Sequence, residues 1–254
     1  MTASDLPPGA GRPAPYAARV TPRAVFAVFC ALGVLDLAAV ALGWHVVALA
    51  AKPLLMPVLA LWAARQGAPR ALVAALLCGW GGDVLLEVGG AAFLVGMGCF
   101  AAGHVCYLRL FARRGALTGG RARYAAYGAL WAVMVVLLWP GLDPGMRGPV
   151  AVYSLLLTAM AAGSYGLNRI AAAGGALFLL SDTLIATDLA DWPQPPGPGV
   201  WVMLTYLAAQ ALLAAGVLGT GGAAWAPSAT LPRAHREAPA YGGSAPAPRP
   251  GAAS

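Results

Sequence analysis

Of the 16 Lys and Arg residues in this chain, all but Lys52 and Arg147 fall in the two tails or in every second gap between long apolar stretches. A spanning helix needs roughly 20 mostly apolar residues. Eight stretches qualify, at about 24–42, 45–64, 71–88, 91–111, 124–140, 149–167, 171–190 and 199–219. The second gap holds Arg65 and Arg70, and the sixth holds Arg169. The fourth holds Arg113, Arg114, Arg121 and Arg123, with Arg109 at the helix end. Loops rich in Lys and Arg stay on the cytoplasmic side, so the pattern predicts both termini there. An odd number of crossings would break the alternation. The expected fold is an all-α polytopic bundle of about eight transmembrane helices.

Composition supports that reading. The chain is 60% hydrophobic and only 10% charged, against about 25% charged in a soluble domain. Too little polar surface is available to face water. The net charge of +7 does not point to nucleic acid, because the bases flank apolar spans, where they meet anionic lipid. Cys30, Cys78, Cys99 and Cys106 all lie within apolar stretches without a CxxC pair, and read as small apolar fillers. The first apolar run is too long for a signal h-region and contains Asp36, so it reads as a retained helix. Residues 1–23 and 221–254, rich in Pro, Ala and Gly, are expected to be disordered tails around a membrane domain at 24–220.

The charges left inside the spans are then conspicuous: Asp36, Lys52, Asp83, Glu87 and Asp182. An ionisable group in hydrocarbon costs about 2.5 kcal/mol or more and marks a functional site by default. Asp83 and Glu87 are four apart and share a helix face. Two carboxylates so close in a low dielectric do not readily ionise together, which leaves a neutral acid able to give up a proton. Glu87 is otherwise an interfacial residue near the headgroups. Lys52 either snorkels outward, pairs with an acid such as Asp83, or meets a lipid phosphate. Pro53 and Pro57 free backbone carbonyls in the same span, as suits a cavity wall. Asp36 reads as a pairing residue.

Phe93, Met97, Phe100, His104 and Tyr107 form one stripe of the fourth span at spacings of four, three, four and three. His104 is either a hydrogen-bonded structural histidine or part of a site. A zinc site would need more than one histidine, and His45 and His235 lie in a loop and in the tail. Neither a metal nor a cofactor is expected. Ser181 reads more readily as a packing hydroxyl than as a nucleophile, and no GxSxG elbow occurs. Tyr206 and Gln210, four apart on the eighth span, can line one cavity. By depth, Lys52, Asp83, His104 and Asp182 overlap within one or two helical turns of the middle and outer half of the bilayer.

Taken together, the chain resembles the YhhN family of membrane proteins, which includes the lysoplasmalogenases. The elements that carry the resemblance run in order over about 45–215. They are Lys-Pro-Leu-Leu-Met-Pro at 52–57, Gly-Asp-Val-Leu-Leu at 82–86, and Phe93 to Met97 with Phe100, His104 and Tyr107. Tyr153 and Met160 follow, then Gly-Ala-Leu-Phe-Leu-Leu-Ser-Asp-Thr-Leu at 175–184, and Tyr206 with Gln210. The resemblance implies an integral-membrane hydrolase of the vinyl-ether bond of lysoplasmalogens, releasing a fatty aldehyde and a glycerophospho-base. It places the two family aspartates at Asp83 and Asp182 as the catalytic pair. Lys52, His104, Tyr107, Ser181, Tyr206 and Gln210 form the expected substrate-binding set. The implied partners are a lysophospholipid and the bilayer of the cell membrane. The competing reading is a proton-coupled carrier of small solutes or lipids, since intramembrane Asp, Lys and His mark such pathways too.

Overall fold

The computed structural model describes residues 21–219. Within them the backbone forms α1 (Pro22–Ala41), α2 (His45–Arg65), α3 (Arg70–Val88) and α4 (Ala91–Arg113). It continues with α5 (Arg121–Leu138), α6 (Pro144–Tyr165), α7 (Arg169–Leu189) and α8 (Pro198–Gly219). All eight are long and apolar enough to cross a membrane. The reason for helix is the solvent. In hydrocarbon no water satisfies a backbone N–H or C=O, so each spanning segment must bond itself.

The helix ends show where sequence boundaries needed adjusting. α1 starts at Pro22, inside the expected N-terminal tail. Thr21 caps it, its Oγ1 accepting from the Ala24 N–H at 3.3 Å, and proline at the first helical position lacks only an N–H that had no partner anyway. The rest of the expected tails, 1–20 and 221–254, lies outside the described residues. α6 starts at Pro144 rather than near 149. Pro149 is carried inside it, so the Gly145 carbonyl lacks the N–H that a helix would otherwise offer it from that position. α3 and α4 are joined by Gly89 and Gly90 alone, at φ +71° and +55°, a conformation open to glycine at no steric cost.

Sequential helices pair from α1 to α4, but α4 then packs on α6, α6 on α7, α7 on α8 and α8 back on α1. α5 is set against α6 and buries only Leu138. α8 also reaches α2 and α3 and is the most buried helix. The closest pairs are α3 with α4 and α7 with α8. Between two helices in lipid, small residues let backbones approach. A Cβ on Gly174 would sit 2.7 Å from the Leu213 nitrogen, and one on Gly216 would sit 2.6 Å from the Ala171 nitrogen. Polar groups tie the same end. Asn168 Oδ1 accepts from the Ala171 N–H, and its Nδ2 donates to the Gly216 carbonyl, both at 2.8 Å. Arg114 donates to the Val217 carbonyl.

The interior is made of Leu55, Met56 and Leu59 of α2, Leu72 and Leu76 of α3, Phe111 of α4, Leu157 and Met160 of α6, Phe178 of α7 and Leu213 of α8. Apolar side chains such as Val46, Val136 and Val152 are exposed on the outside, where lipid rather than water meets them.

Gly174→Val forces a branched side chain into the α7–α8 contact, and overpacking of this kind costs about 1–3 kcal/mol. We expect it to lower the thermal midpoint of the detergent-solubilised protein. Gly98→Val should leave the midpoint unchanged, because a Cβ there meets nothing within 4 Å.

Candidate active site

Asp83 comes from α3 and Asp182 from α7, and both line one cavity of about 380 Å³. That volume falls within the range of small-molecule sites. The glycine before Asp83 explains how its surroundings close in. A Cβ on Gly82 would meet the Phe100 ring at 2.5 Å, so only glycine lets that ring lie across α3. One turn earlier, a Cβ on Gly79 would stand 3.1 Å from the Tyr206 hydroxyl and 3.0 Å from Gln210 Nε2. Small residues on α3 thus admit an aromatic ring from α4 and polar side chains from α8.

Each aspartate receives a tyrosine. The Tyr206 hydroxyl donates to Asp83 Oδ2 at 2.8 Å, and the Tyr153 hydroxyl donates to Asp182 Oδ2. Behind Tyr206 the bonds continue inward. Gln210 Nε2 donates to the Tyr206 oxygen at 3.4 Å, and Tyr107 donates to Gln210 Oε1 at 2.8 Å. Behind Tyr153 stands His104, with Nε2 3.3 Å from the hydroxyl. Since Tyr153 gives its proton to Asp182, its oxygen is left to accept, which places the imidazole proton on Nε2. His104 Nδ1 is then a bare acceptor, and it is buried without a partner. Phe178 separates the two chains of bonds, edge-on to His104 at 4.9 Å, Tyr206 at 5.5 Å and Phe100 at 6.3 Å.

The remaining expected site residues divide by position. Lys52 and Tyr206 line the cavity. Ser181 also lines it, but its hydroxyl donates to the Val202 carbonyl at 3.0 Å, a helix-packing bond. His104, Tyr107 and Gln210, read as substrate-binding, do not line the cavity. The rings of Phe100, Phe178 and Tyr206 fill the space between, so these three act on the lining only through Tyr153 and Tyr206. Lys52 pairs with Glu87 at 2.8 Å, not with Asp83. Glu87 is therefore a partner of that lysine as well as a half-exposed residue. Asp36, read as a pairing residue, is fully buried with no hydrogen bond to either carboxylate oxygen among the described residues. Lys52, which lies within electrostatic reach of it, is held by Glu87.

The rest of the cavity wall is mostly apolar, with Arg147, Ser154, Thr158 and Thr183 as further polar residues. Leu130 on α5, Trp139 just past its end and Leu180 on α7 line it and are themselves exposed. The cavity therefore opens sideways through the wall of the bundle, towards lipid. A second, smaller cavity of about 170 Å³ shares Lys52 and Asp83 with the first and is otherwise bounded by Leu49, Pro53, Val84, Glu87 and Val88. Asp83 stands between the two. Sequence reasoning did not single out Tyr153, Trp131 or Arg147 for the site, although all three line the main cavity. Trp131 is fixed by bonds from Nε1 to the Ala151 carbonyl at 3.2 Å and to Ser154 Oγ at 3.1 Å. Tyr153 was visible only as one element of the family resemblance. Arg147 carried a signal in its position, as a base in a gap that otherwise holds none.

The family model described as the YhhN family matches residues 47–217. The chain belongs to the YhhN family. The match spans both aspartates, both tyrosines and every residue that lines the two cavities. This YhhN chain is 35% identical over 173 residues to lysoplasmalogenase TMEM86B of Rattus norvegicus, covering 67% of this chain and 72% of the relative. It is 33% identical over 156 residues to lysoplasmalogenase TMEM86B of Homo sapiens, covering 58% and 63%. The Mus musculus protein of the same name is 33% identical over 172 residues, covering 67% and 74%. No solved structure matches the chain.

The bond from Tyr107 to Gln210 yields a thermodynamic test. Gln210→Leu strands the buried Tyr107 hydroxyl, at a cost of about 1–3 kcal/mol. Tyr107→Phe combined with Gln210→Leu should cost less than the sum of the single changes, because the second removes the group the first strands. A double-mutant cycle on unfolding in detergent measures the coupling, and strict additivity would show that the two do not interact.

Proposed function

We propose that this YhhN chain hydrolyses the vinyl-ether bond of lysoplasmalogen-type lipids within a cell membrane. The observation that carries the reading is one lipid-open cavity with Asp83 and Asp182 in its wall, each hydrogen-bonded by a tyrosine. Relatives named lysoplasmalogenase support a hydrolase over a carrier.

The chemistry suits two carboxyl groups. A proton is added to the β carbon of the vinyl ether, giving an oxocarbenium ion. Water adds to the cationic carbon and loses a proton, forming a hemiacetal. The hemiacetal collapses, its C–O bond to glycerol breaking, to a fatty aldehyde and a free glycerol hydroxyl. One carboxylic acid supplies the first proton, and one carboxylate steadies the cation and takes the proton from water.

The surroundings of the pair favour a division of labour. Asp83 borders the second cavity, whose wall is mostly apolar but whose edge carries the partly exposed Lys52 and Glu87, so in this reading water arrives from that side. Asp182 borders only the main cavity, where the alkenyl chain would lie. In this reading Asp182 protonates the alkene and Asp83 receives the water proton. Tyr153 and Tyr206 orient the carboxyl groups, and His104 and Gln210 hold those tyrosines. The single chain enters between α5 and α7, where the lining side chains already face lipid.

The test is fatty-aldehyde release by purified protein from lysoplasmalogen and from its ester-linked lyso analogue. Aldehyde is expected from the vinyl ether alone. Asp83→Asn and Asp182→Asn should each lower the rate by at least about 100-fold, the usual contribution of a general acid or base. Formate should restore part of the rate to Asp83→Ala but none to Asp182→Ala. The reverse pattern would exchange the two roles. Absence of aldehyde from folded protein would remove the activity.

A further inference from the structure

Two bases break the charge alternation of this sequence, Lys52 and Arg147, and both line the main cavity. They arrive from different helices, α2 and α6. Their states differ. Lys52 is neutralised by Glu87 at 2.8 Å. Arg147 pairs with no carboxylate among the described residues.

Arg147 is nevertheless held. Its Nε donates to the Leu142 carbonyl at 3.1 Å, and its guanidinium carbon stands 5.7 Å from the centre of the Trp139 ring. Its two terminal nitrogens make no hydrogen bond among the described residues. One edge of the guanidinium is therefore anchored by backbone and ring, and the other is left as a fork of donors at an apolar cavity. A charge in such a place is expensive without an anion, and a planar fork matches two oxygens of a phosphate.

We infer that Arg147 is the phosphate-recognising residue of this cavity, binding the phosphodiester of a single-chain ether lipid. This inference rests on the vinyl-ether reading above for the identity of the lipid. The spacing agrees with it. Tyr153, the partner of Asp182, lies six residues farther along α6, a rise of about 9 Å. In a lysoplasmalogen, six bonds separate the phosphorus from the vinyl-ether carbon. Three extended bonds span about 3.8 Å along a peptide backbone, so six span about 7.6 Å. A phosphate at Arg147 thus brings the reactive carbon to the depth of Tyr153 and Asp182. It also sets the direction of the lipid, with the headgroup at the α5–α6 loop and the chain passing out between α5 and α7.

The test compares lysoplasmalogen with the corresponding alkenylglycerol, which has the vinyl ether but no phosphate. Arg147→Gln should raise KM for lysoplasmalogen about tenfold or more, the scale of one charged hydrogen-bonding contact. It should change kcat less than about twofold and leave alkenylglycerol hydrolysis unaltered. Arg147→Lys should recover part of the loss, since it keeps the charge without the fork. An equal effect on both substrates, or none on either, would overturn the assignment. A second arm stands apart from turnover, and measures binding of a saturated alkyl-ether lysophospholipid and of its alkylglycerol. The full-length protein should hold the phospholipid about tenfold tighter, and Arg147→Gln should erase that preference. A preference that survives the substitution overturns the assignment even if aldehyde is released. A preference lost on substitution sustains it even if no aldehyde forms. Displacement of the ether lysophospholipid by inorganic phosphate at equal concentration would mean a free-phosphate site and would overturn the lipid assignment.

Discussion

The interaction on which everything else depends is the hydrogen bond that a backbone in hydrocarbon must make to itself. It requires eight uninterrupted helices where a water-facing chain could have used loops or an open sheet. It also removes the hydrophobic effect as a force between helices, because lipid tails are as apolar as leucine. What joins these helices is close approach and polar bonding. Gly174 and Gly216 bring α7 and α8 into backbone contact, and Asn168 and Arg114 take the last carbonyls of α8. The pairing order that results, with α4 on α6 and α5 set outside, leaves the wall between α5 and α7 open.

The same scarcity of water gives the polar groups of the site their arrangement. A buried hydroxyl or carboxylate without a partner is costly in any protein. Here the partners are serial. Tyr107, Gln210 and Tyr206 lead to Asp83, while His104 and Tyr153 lead to Asp182. Phe178 and Phe100 keep the two series apart and separate their inner members from the cavity. Two groups stand outside this order. Neither oxygen of Asp36 nor Nδ1 of His104 has a partner among the described residues. The histidine is explained by the direction of the Tyr153 bond. Asp36 has no hydrogen bond among the described residues but lies within electrostatic reach of Lys52 and Glu87.

Much of the fold was legible in the sequence because membrane insertion is read from length, hydropathy and the placement of bases, all of which are local. The eight spans agree with the helices to within a few residues. The larger discrepancy, at the start of α6, came from residues 144–148, which read as part of the gap but form the first turn of a helix that begins with Pro144. Among the polar residues, the sequence showed which were out of place in lipid. It could not show that Lys52 turns to Glu87 rather than to Asp83, because both acids lie on the same face of α3 and only the packing of α2 against it selects one.

Taken alone, the sequence determined the membrane bundle, the number of spans and the small set of charges inside them. Those properties follow from transfer of individual residues into lipid, which needs no knowledge of neighbours. Tertiary structure decided which charges meet. It brought Asp83 and Asp182 to one cavity from helices about a hundred residues apart, assigned a tyrosine to each, and put His104, Tyr107 and Gln210 behind the lining instead of in it. It also gave Arg147, visible in the sequence only as an exception, a cavity to face. The physical reason is that side-chain direction around a uniformly apolar helix leaves no mark in its composition. Where lipid and protein interior are equally apolar, only the close approach of glycine-lined backbones settles which face turns inward.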